Sequence, residues 1–558
     1  LTSNRMAKSI DTPDRIFLNS KIYTVDPMQP WAEALAVGGN KILRVGSTAE
    51  IKALASAGTE TVDLHGRMVL PGINDVHVHP LIGGRTALYE TTFLPTLSLE
   101  EILEVIRAAA REAKPGAWII GGSWGSNFTT TLSSLETLRA LDEASGGHPV
   151  LLRDDSVHNR WVNSRALELA GIDANTPDPN NGTIVRDPAS GAAVGLLFEA
   201  ASHRVERVAR EAHPDTLETD SVALARALEI LNSFGVTGLQ DAAVSGDVLA
   251  AYANLEQQSK LSTWVVTSLV ADPTAFLSGT TGDALIEDRE RFASRHINTT
   301  YVKIFLDGVP MSRTSAFIKP YLPDQAHGCC FCGNTTKTLP ELVRLIARQE
   351  ERGLGVKIHA AGDGAVRMAL DAIDVIRSLR GPTKLTHHIA HAGFIDSSDI
   401  ARFKSLNVVA DLSPILWFPN QIIDGIEQAV GERVRQYWPN RSLIEAGALI
   451  ATGTDWPVIP NPDPWSGMQG LITRRNPDSG FAGALWPEQA IDLAAAIQAY
   501  TLNPARAIGL EAITGSITEG KSADFIVIDR NLFEIEATTI AETKVVATYF
   551  EGKVVFQR

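Results

Sequence analysis

The stretch M-V-L-P-G-I-N-D-V-H-V-H, residues 68–79, is a short apolar strand that ends on two histidines. Residues i and i+2 of a strand point to the same face, so His77 and His79 converge on one point, with Asp75 on that face one layer deeper. Seven comparable runs follow: G-V-T-G-L-Q-D-A (235–242), S-T-W-V-V-T-S-L (262–269), Y-V-K-I-F-L-D-G (301–308), G-V-K-I-H-A-A-G-D (355–363), L-T-H-H-I-A-H-A-G (385–393), N-V-V-A-D-L-S-P (407–414) and A-L-I-A-T-G-T-D-W-P (448–457). Intervening stretches such as Leu339 to Glu351 carry helical spacing. Eight alternations of strand and helix predict an α/β fold, a parallel (β/α)8 TIM barrel, whose chemistry sits at the C-terminal ends of its strands.

More than 150 residues separate the first strand from the second, far beyond one βα connection. This insertion is expected over the barrel mouth, where it shapes a substrate pocket. It has its own strand-like runs at 117–124 and 149–154, and helical runs near Leu99–Ala113 and Thr219–Ser233. Both chain ends are strand-rich. Residues 15–70 alternate in short runs broken by D-P and G-G-N, which reads as a small antiparallel β unit. Residues 523–529 and 544–556 repeat the style, with a turn at Glu551-Gly552.

Composition narrows the partners. A length of 558 residues with 44% apolar residues suits three or four domain-sized units and excludes global disorder. A net charge of −15 without a basic run argues against a nucleic-acid partner. No apolar stretch approaches the roughly 18 residues needed to span a bilayer, so no membrane partner is expected. Cys329, Cys330 and Cys332 fall within four residues, too close for a disulfide framework, and with His327 they read as a loop in a reducing, cytoplasmic protein. The N-terminal L-T-S-N-R-M lacks the apolar core of a signal peptide, and an appended remnant is expected before Met6.

Other strand ends supply partners for the first histidine pair. His359 closes the fifth strand, His391 the sixth and Asp455 the eighth, while Lys303 lies on the fourth. Four histidines and a carboxylate converging there match the nitrogen and oxygen ligands of one or two divalent ions, zinc foremost. An ammonium has no lone pair, so Lys303 either loses its proton and forms a bridging carbamate with carbon dioxide or stays cationic beside a carboxylate. The residues alone favour the ion pair. His387 shares parity with His391 and His388 does not, which leaves His387 as the rival ligand; Lys357 shares parity with His359 and would be a second buried lysine, through a bulge or as a rival carbamate.

Together these stretches, with V-H-N-R-W-V-N-S-R-A-L-E-L-A-G-I (157–172), G-L-L-F-E-A-A (195–201), T-L-N-P-A-R-A-I-G-L (501–510) and G-S-I-T-E-G-K-S-A-D-F-I-V-I-D (515–529), resemble the amidohydrolase superfamily and its YtcJ-like branch, related to N-substituted formamide deformylases. The resemblance implies a β-sandwich composed of residues 1–70 and 506–558, a metal-dependent barrel over 71–505 and an insertion at 81–232. It also implies His77, His79, His359, His391 and Asp455 as metal ligands, with a carbamylated Lys303 as their bridge. The branch often reads I-E-H-A-Q at the sixth strand; here I-A-H-A-G lacks the acidic residue expected to support His391. A divalent metal lowers the pKa of a bound water toward 7, Asp455 would serve as general base and then acid, and a small-molecule amide or N-acyl C–N bond would be hydrolysed. His158 is the second catalytic candidate, as a hydrogen-bond donor to the scissile carbonyl; Trp124, Asn163, Arg313 and Trp456 are candidates for substrate binding, and Glu199 reads as a helix-surface charge. The alternatives are a mononuclear deaminase, with Asp363 as substitute acid, and a non-catalytic scaffold. A homodimer is also considered.

Overall fold

The structure, a computed structural model, describes residues 12–212, 215–273 and 277–558; Met6 and the hexapeptide it closes lie outside them. The eight barrel strands are β1 (Ile73–Val78), β2 (Val236–Val244), β3 (Trp264–Val270), β4 (Ile297–Phe305), β5 (Gly355–Ala360), β6 (His387–His391), β7 (Val408–Leu412) and β8 (Ile450–Thr452). Each pairs in parallel with its neighbour in sequence. β1, β2 and β3 are buried along their whole length, as expected for strands with side chains inside and helices outside. Backbone bonds from His79 N to Trp456 O (2.9 Å) and from Asp455 N to His77 O tie β1 to the segment after β8 and bring the two ends of the sheet together.

The outer helices form for local reasons. Leu339–Glu351 starts on a Thr338/Glu341 capping box and buries Leu342, Ile346 and Gln349, one per turn, on the barrel. The N-terminal end of the barrel is sealed by Ala505, Ala507, Ile508 and Leu510, packed under Val76, Val409 and Ala451, with Tyr301 donating to Ala507 O at 2.9 Å. The floor is built mainly of apolar side chains, and the cavity opens at the opposite end.

The insertion carries a six-stranded sheet, in spatial order 182–186, 193–199, 159–162, 150–154, 119–124 and 91–92. Helices Pro80–Tyr89 and Leu217–Ser233 pack on each other, and the second also packs on β2. They belong with the barrel, so the separate unit is narrower than residues 81–232.

The chain ends build two facing sheets. One has four strands, in order 41–46, 34–38, 15–18 and 60–63; the other has six, in order 553–557, 545–550, 525–528, 68–71, 21–23 and 31–32. Phe17, Leu35, Val69, Phe525 and Tyr549 fill the space between them. The N-terminal unit is not purely antiparallel: Arg15–Leu18 runs parallel to Glu60–Asp63, and Lys21–Tyr23 parallel to Met68–Pro71. Strands distant in sequence pair here, which local alternation does not reveal. At the far end the hairpin turn Glu551-Gly552 has both residues at positive φ (51° and 75°), as a tight two-residue turn demands. Among the described residues, no helix is long and apolar enough to cross a membrane.

Candidate metal centre

His77, His79, Lys303, His359, His391 and Asp455 all line one cavity of about 740 Å³ at the C-terminal end of the barrel. Each arrives from a strand end, so the rigid sheet sets their spacing. Asp455 Oδ1 lies 3.3 Å from His79 Nε2 and 3.6 Å from His77 Nε2. Adjacent donors around a tetrahedral ion at ~2.1 Å sit ~3.4 Å apart, so this set fits a divalent metal. His77, His391 and Asp455 each offer a donor atom within 4.8 Å of the others. The His359 and His391 rings meet at 4.2 Å.

Hydrogen bonds decide which nitrogen each ring offers. His77 Nδ1 donates to Asp411 Oδ2 at 3.0 Å, which frees Nε2 toward Asp455. His391 Nδ1 donates to Ser413 O at 2.9 Å; a backbone carbonyl thus supplies the support that the missing acidic neighbour would have given. His359 Nε2 donates to Gly308 O at 3.0 Å, leaving Nδ1 open. Burial, reinforced by neighbouring cations and imidazoles, holds His77, His359 and His391 well below the usual histidine range, so their lone pairs are available.

The two buried lysines divide their roles. Lys303 and Lys357 are in register on β4 and β5, without a bulge between them. Lys357 donates to Asp411 Oδ2 and to Val76 O (2.8 Å), beneath His77. Its ammonium is neutralised by Asp411, which removes it as a carbamate candidate. Lys303 makes no ion pair among the described residues; its Nζ sits 4.9 Å from the centre of the Phe305 ring. The expected Lys303 ion pair is therefore replaced by one at Lys357. Burial first, and then the charge of Lys357, lower the Lys303 pKa from 10.5 to about 7.

The parity argument for β6 fails. His387 accepts from Val356 N (3.1 Å) and bonds to Glu350 (2.7 Å) on an outer helix, whereas His388 faces the interior, 3.4 Å from Lys357 Nζ and bonded to Ala507 O. Both lie away from the cavity. His391 reaches it because its backbone leaves strand geometry, with φ +70° there and +45° at Ala392. Asp455 is likewise turned into the site at φ +57°.

Three residues expected in substrate binding lie elsewhere. Trp124 is wholly buried in the core of the insertion, its Nε1 donating to Leu152 O at 3.1 Å. Asn163 caps helix Ser164–Leu169 and is consumed by Val150 N, Ala166 N and His148 O. Trp456 turns from the cavity and packs on Gly83, where a Cβ would lie 2.3 Å from its ring. Aromatic and amide side chains served packing and capping in each case. Arg313 does line the cavity, paired with Asp324 at 3.0 Å. Asp363, the substitute acid of the deaminase alternative, accepts from Ile318 N at 2.8 Å and does not line it. Cys329 and Cys330 are exposed, with their sulfurs 3.1 Å apart, in a loop outside the ligand set.

His158 faces the cavity from the insertion, its ring 5.2 Å from that of His359. Glu199 is not a surface charge: it lines the cavity and accepts from His158 Nδ1 at 2.9 Å. Burial draws the His158 pKa down, but the charge and hydrogen bond of Glu199 outweigh it and raise the value; Glu199 is held below its usual range although burial pushes it up. The pair joins two strands 41 residues apart, so no local pattern marks it.

The Amidohydrolase family profile matches residues 60–556. The chain is 30% identical over 556 residues to Protein LONG AFTER FAR-RED 3 of Arabidopsis thaliana, covering 97% of this chain and 91% of that protein. It is 28% identical to the N-substituted formamide deformylase of Arthrobacter pascens (98% of each chain) and 29% identical to the putative amidohydrolase YtcJ of Bacillus subtilis (96% and 98%). An uncharacterized metal-dependent hydrolase from Pyrococcus horikoshii OT3 superposes with a TM-score of 0.71 at 24% identity, over 94% of this chain and 99% of that one. The matched span takes in all eight barrel strands, the insertion and the C-terminal strands, and the chain therefore belongs to the amidohydrolase family.

Proposed function

We propose that the chain hydrolyses the C–N bond of an N-substituted formamide or related N-acyl amide in a divalent-metal-dependent reaction. The observation that carries this reading is the convergence of four histidines, Asp455 and Lys303, which has no ion pair among the described residues, on one cavity. The relative named as an N-substituted formamide deformylase, aligned over 98% of both chains, points to the bond. His77, His79 and Asp455 would hold one ion and His359 and His391 a second, zinc being suited to such nitrogen and oxygen donors, with a carbamylated Lys303 as bridge. A divalent ion held there would supply Lewis acidity. Asp455 would take the proton of the attacking water and return it to the leaving nitrogen. His158 hydrogen-bonds the scissile carbonyl.

The cavity walls favour an uncharged substituent. Outside the ligand set, Arg160 is paired with Glu206, Arg313 with Asp324, Lys337 with Asp272 and His158 with Glu199. Among the described lining residues outside the ligand set, every Lys and Arg is paired with a carboxylate, and Phe305, Phe331 and Ile82 offer apolar surface. The test is a panel of N-formyl, N-acyl and aminoacyl amides presented to zinc- or manganese-loaded protein, read by amine release. Turnover of neutral N-substituted formamides is expected. A protein that binds no metal, or that is metal-loaded yet inert across the panel, overturns the proposal.

A further inference from the structure

The structure assigns to Glu199 the task of positioning His158 over the ligand cluster, an inference that rests on the amide-hydrolase reading above. The two side chains come from the insertion, and the segment after β4 fastens them to the barrel. Glu199 Oε1 accepts from Thr314 Oγ1 at 2.8 Å, in the segment after β4. Gly308, just beyond β4, makes room for the carboxylate: a Cβ there would lie 2.2 Å from both Glu199 Oε1 and Thr314 Oγ1. The same Gly308 presents its carbonyl to His359 Nε2 at 3.0 Å. His359 in turn lies against His158, ring to ring at 5.2 Å.

These contacts close a circuit through Glu199, His158, His359 and Gly308. The circuit fixes the His158 imidazole beside the ligands with Nδ1 committed to Glu199, so that Nε2 is the nitrogen left for substrate. Glu199 adopts φ +48° and ψ −124° at the end of its strand, a conformation costly for a residue with a Cβ. The departure from strand geometry occurs at the residue that must leave the sheet to reach His158. Glu199 acts through His158 and is a positioning residue.

The test compares Glu199→Gln, Glu199→Asp and Thr314→Val with wild type, all metal-loaded. In imidazole 15N–1H spectra, assigned with His158→Gln, the wild type should show a slowly exchanging His158 Nδ1–H, lost in Glu199→Gln and weakened in Thr314→Val. With whichever amide is turned over, Glu199→Gln should lower kcat by about 10²-fold with KM within about threefold, Glu199→Asp should recover part of the loss, and metal content should be unchanged. Rapid exchange of His158 Nδ1–H in the wild type, or an unchanged signal in Glu199→Gln, overturns the assignment. So does a variant that loses metal or affinity rather than kcat. An amide panel without turnover overturns the amide-hydrolase reading instead, and the spectra still decide the role of Glu199.

Discussion

Asp411→Asn should damage the protein in two separable ways. Asp411 and Lys357 are both fully buried, and Asp411 Oδ2 receives the Lys357 ammonium together with His77 Nδ1. With asparagine at 411 the ammonium keeps hydrogen-bond acceptors, Val76 O among them at 2.8 Å, but loses the negative charge that neutralises it. Removing one partner of a buried ion pair costs about 3–5 kcal/mol, because the other charge is stranded. At 1.36 kcal/mol per decade this is roughly a 100- to 5,000-fold loss of hydrogen-exchange protection for the β7 amides of metal-free protein. Adding Lys357→Met removes the stranded charge and should restore most of that protection. Metal affinity behaves differently, since the loss of the carboxylate behind a histidine ligand costs about 10- to 100-fold whether or not Lys357 is present. Chelator competition measures it. A double variant as labile as the single one, or one that regains metal affinity along with protection, refutes the reasoning.

Asp455→Ala should lower turnover at least ~10²-fold with unchanged far-UV circular dichroism; near-wild-type activity would exclude it as general base. Lys303→Ala should bring metal content, measured by elemental analysis, down toward one ion per chain, with partial rescue by short carboxylic acids; unchanged stoichiometry favours a single-ion site. Burial, and then Arg377, depress native His387 from 6.5 to about 3, so the unfolded chain takes up a proton that the native state refuses between those values. The stability this neutral imidazole contributes is fully present above about pH 6.5 and is lost as pH falls toward 3. The stability gap between wild type and His387→Gln should therefore shrink by up to about 1.4 kcal/mol per pH unit through that range; a gap independent of pH contradicts the buried, neutral assignment.

The barrel was legible because its strands are buried on both faces and punctuated by turns and helices, and because i, i+2 spacing at His77 and His79 survives in the fold. The same spacing failed at β6, where His391 breaks from strand geometry and a two-residue period no longer tracks direction. The role of Glu199 is not legible in sequence because its partners lie just before another strand and beyond β4, and a charge shows its environment only once those are assembled. Residue type alone suggests a pocket for Trp124 and Asn163, but an aromatic ring and an amide serve a core and a helix cap equally well. Lys357 posed the reverse problem: its inward direction was legible, but Asp411, which makes it tolerable, lies on β7, two strands away.

The pairing of Met68–Pro71 with Phe525–Ile528 has a consequence for biosynthesis. The strand leading into β1 is made early, yet one of its neighbours is translated roughly 450 residues later. At about 5–20 residues per second it waits on the order of half a minute to a minute and a half on the ribosome with that edge unpaired. An exposed apolar edge is a template for wrong pairing, so the nascent chain is most vulnerable while the barrel is being made, and chaperone occupancy should fall sharply once residue 528 has left the exit tunnel.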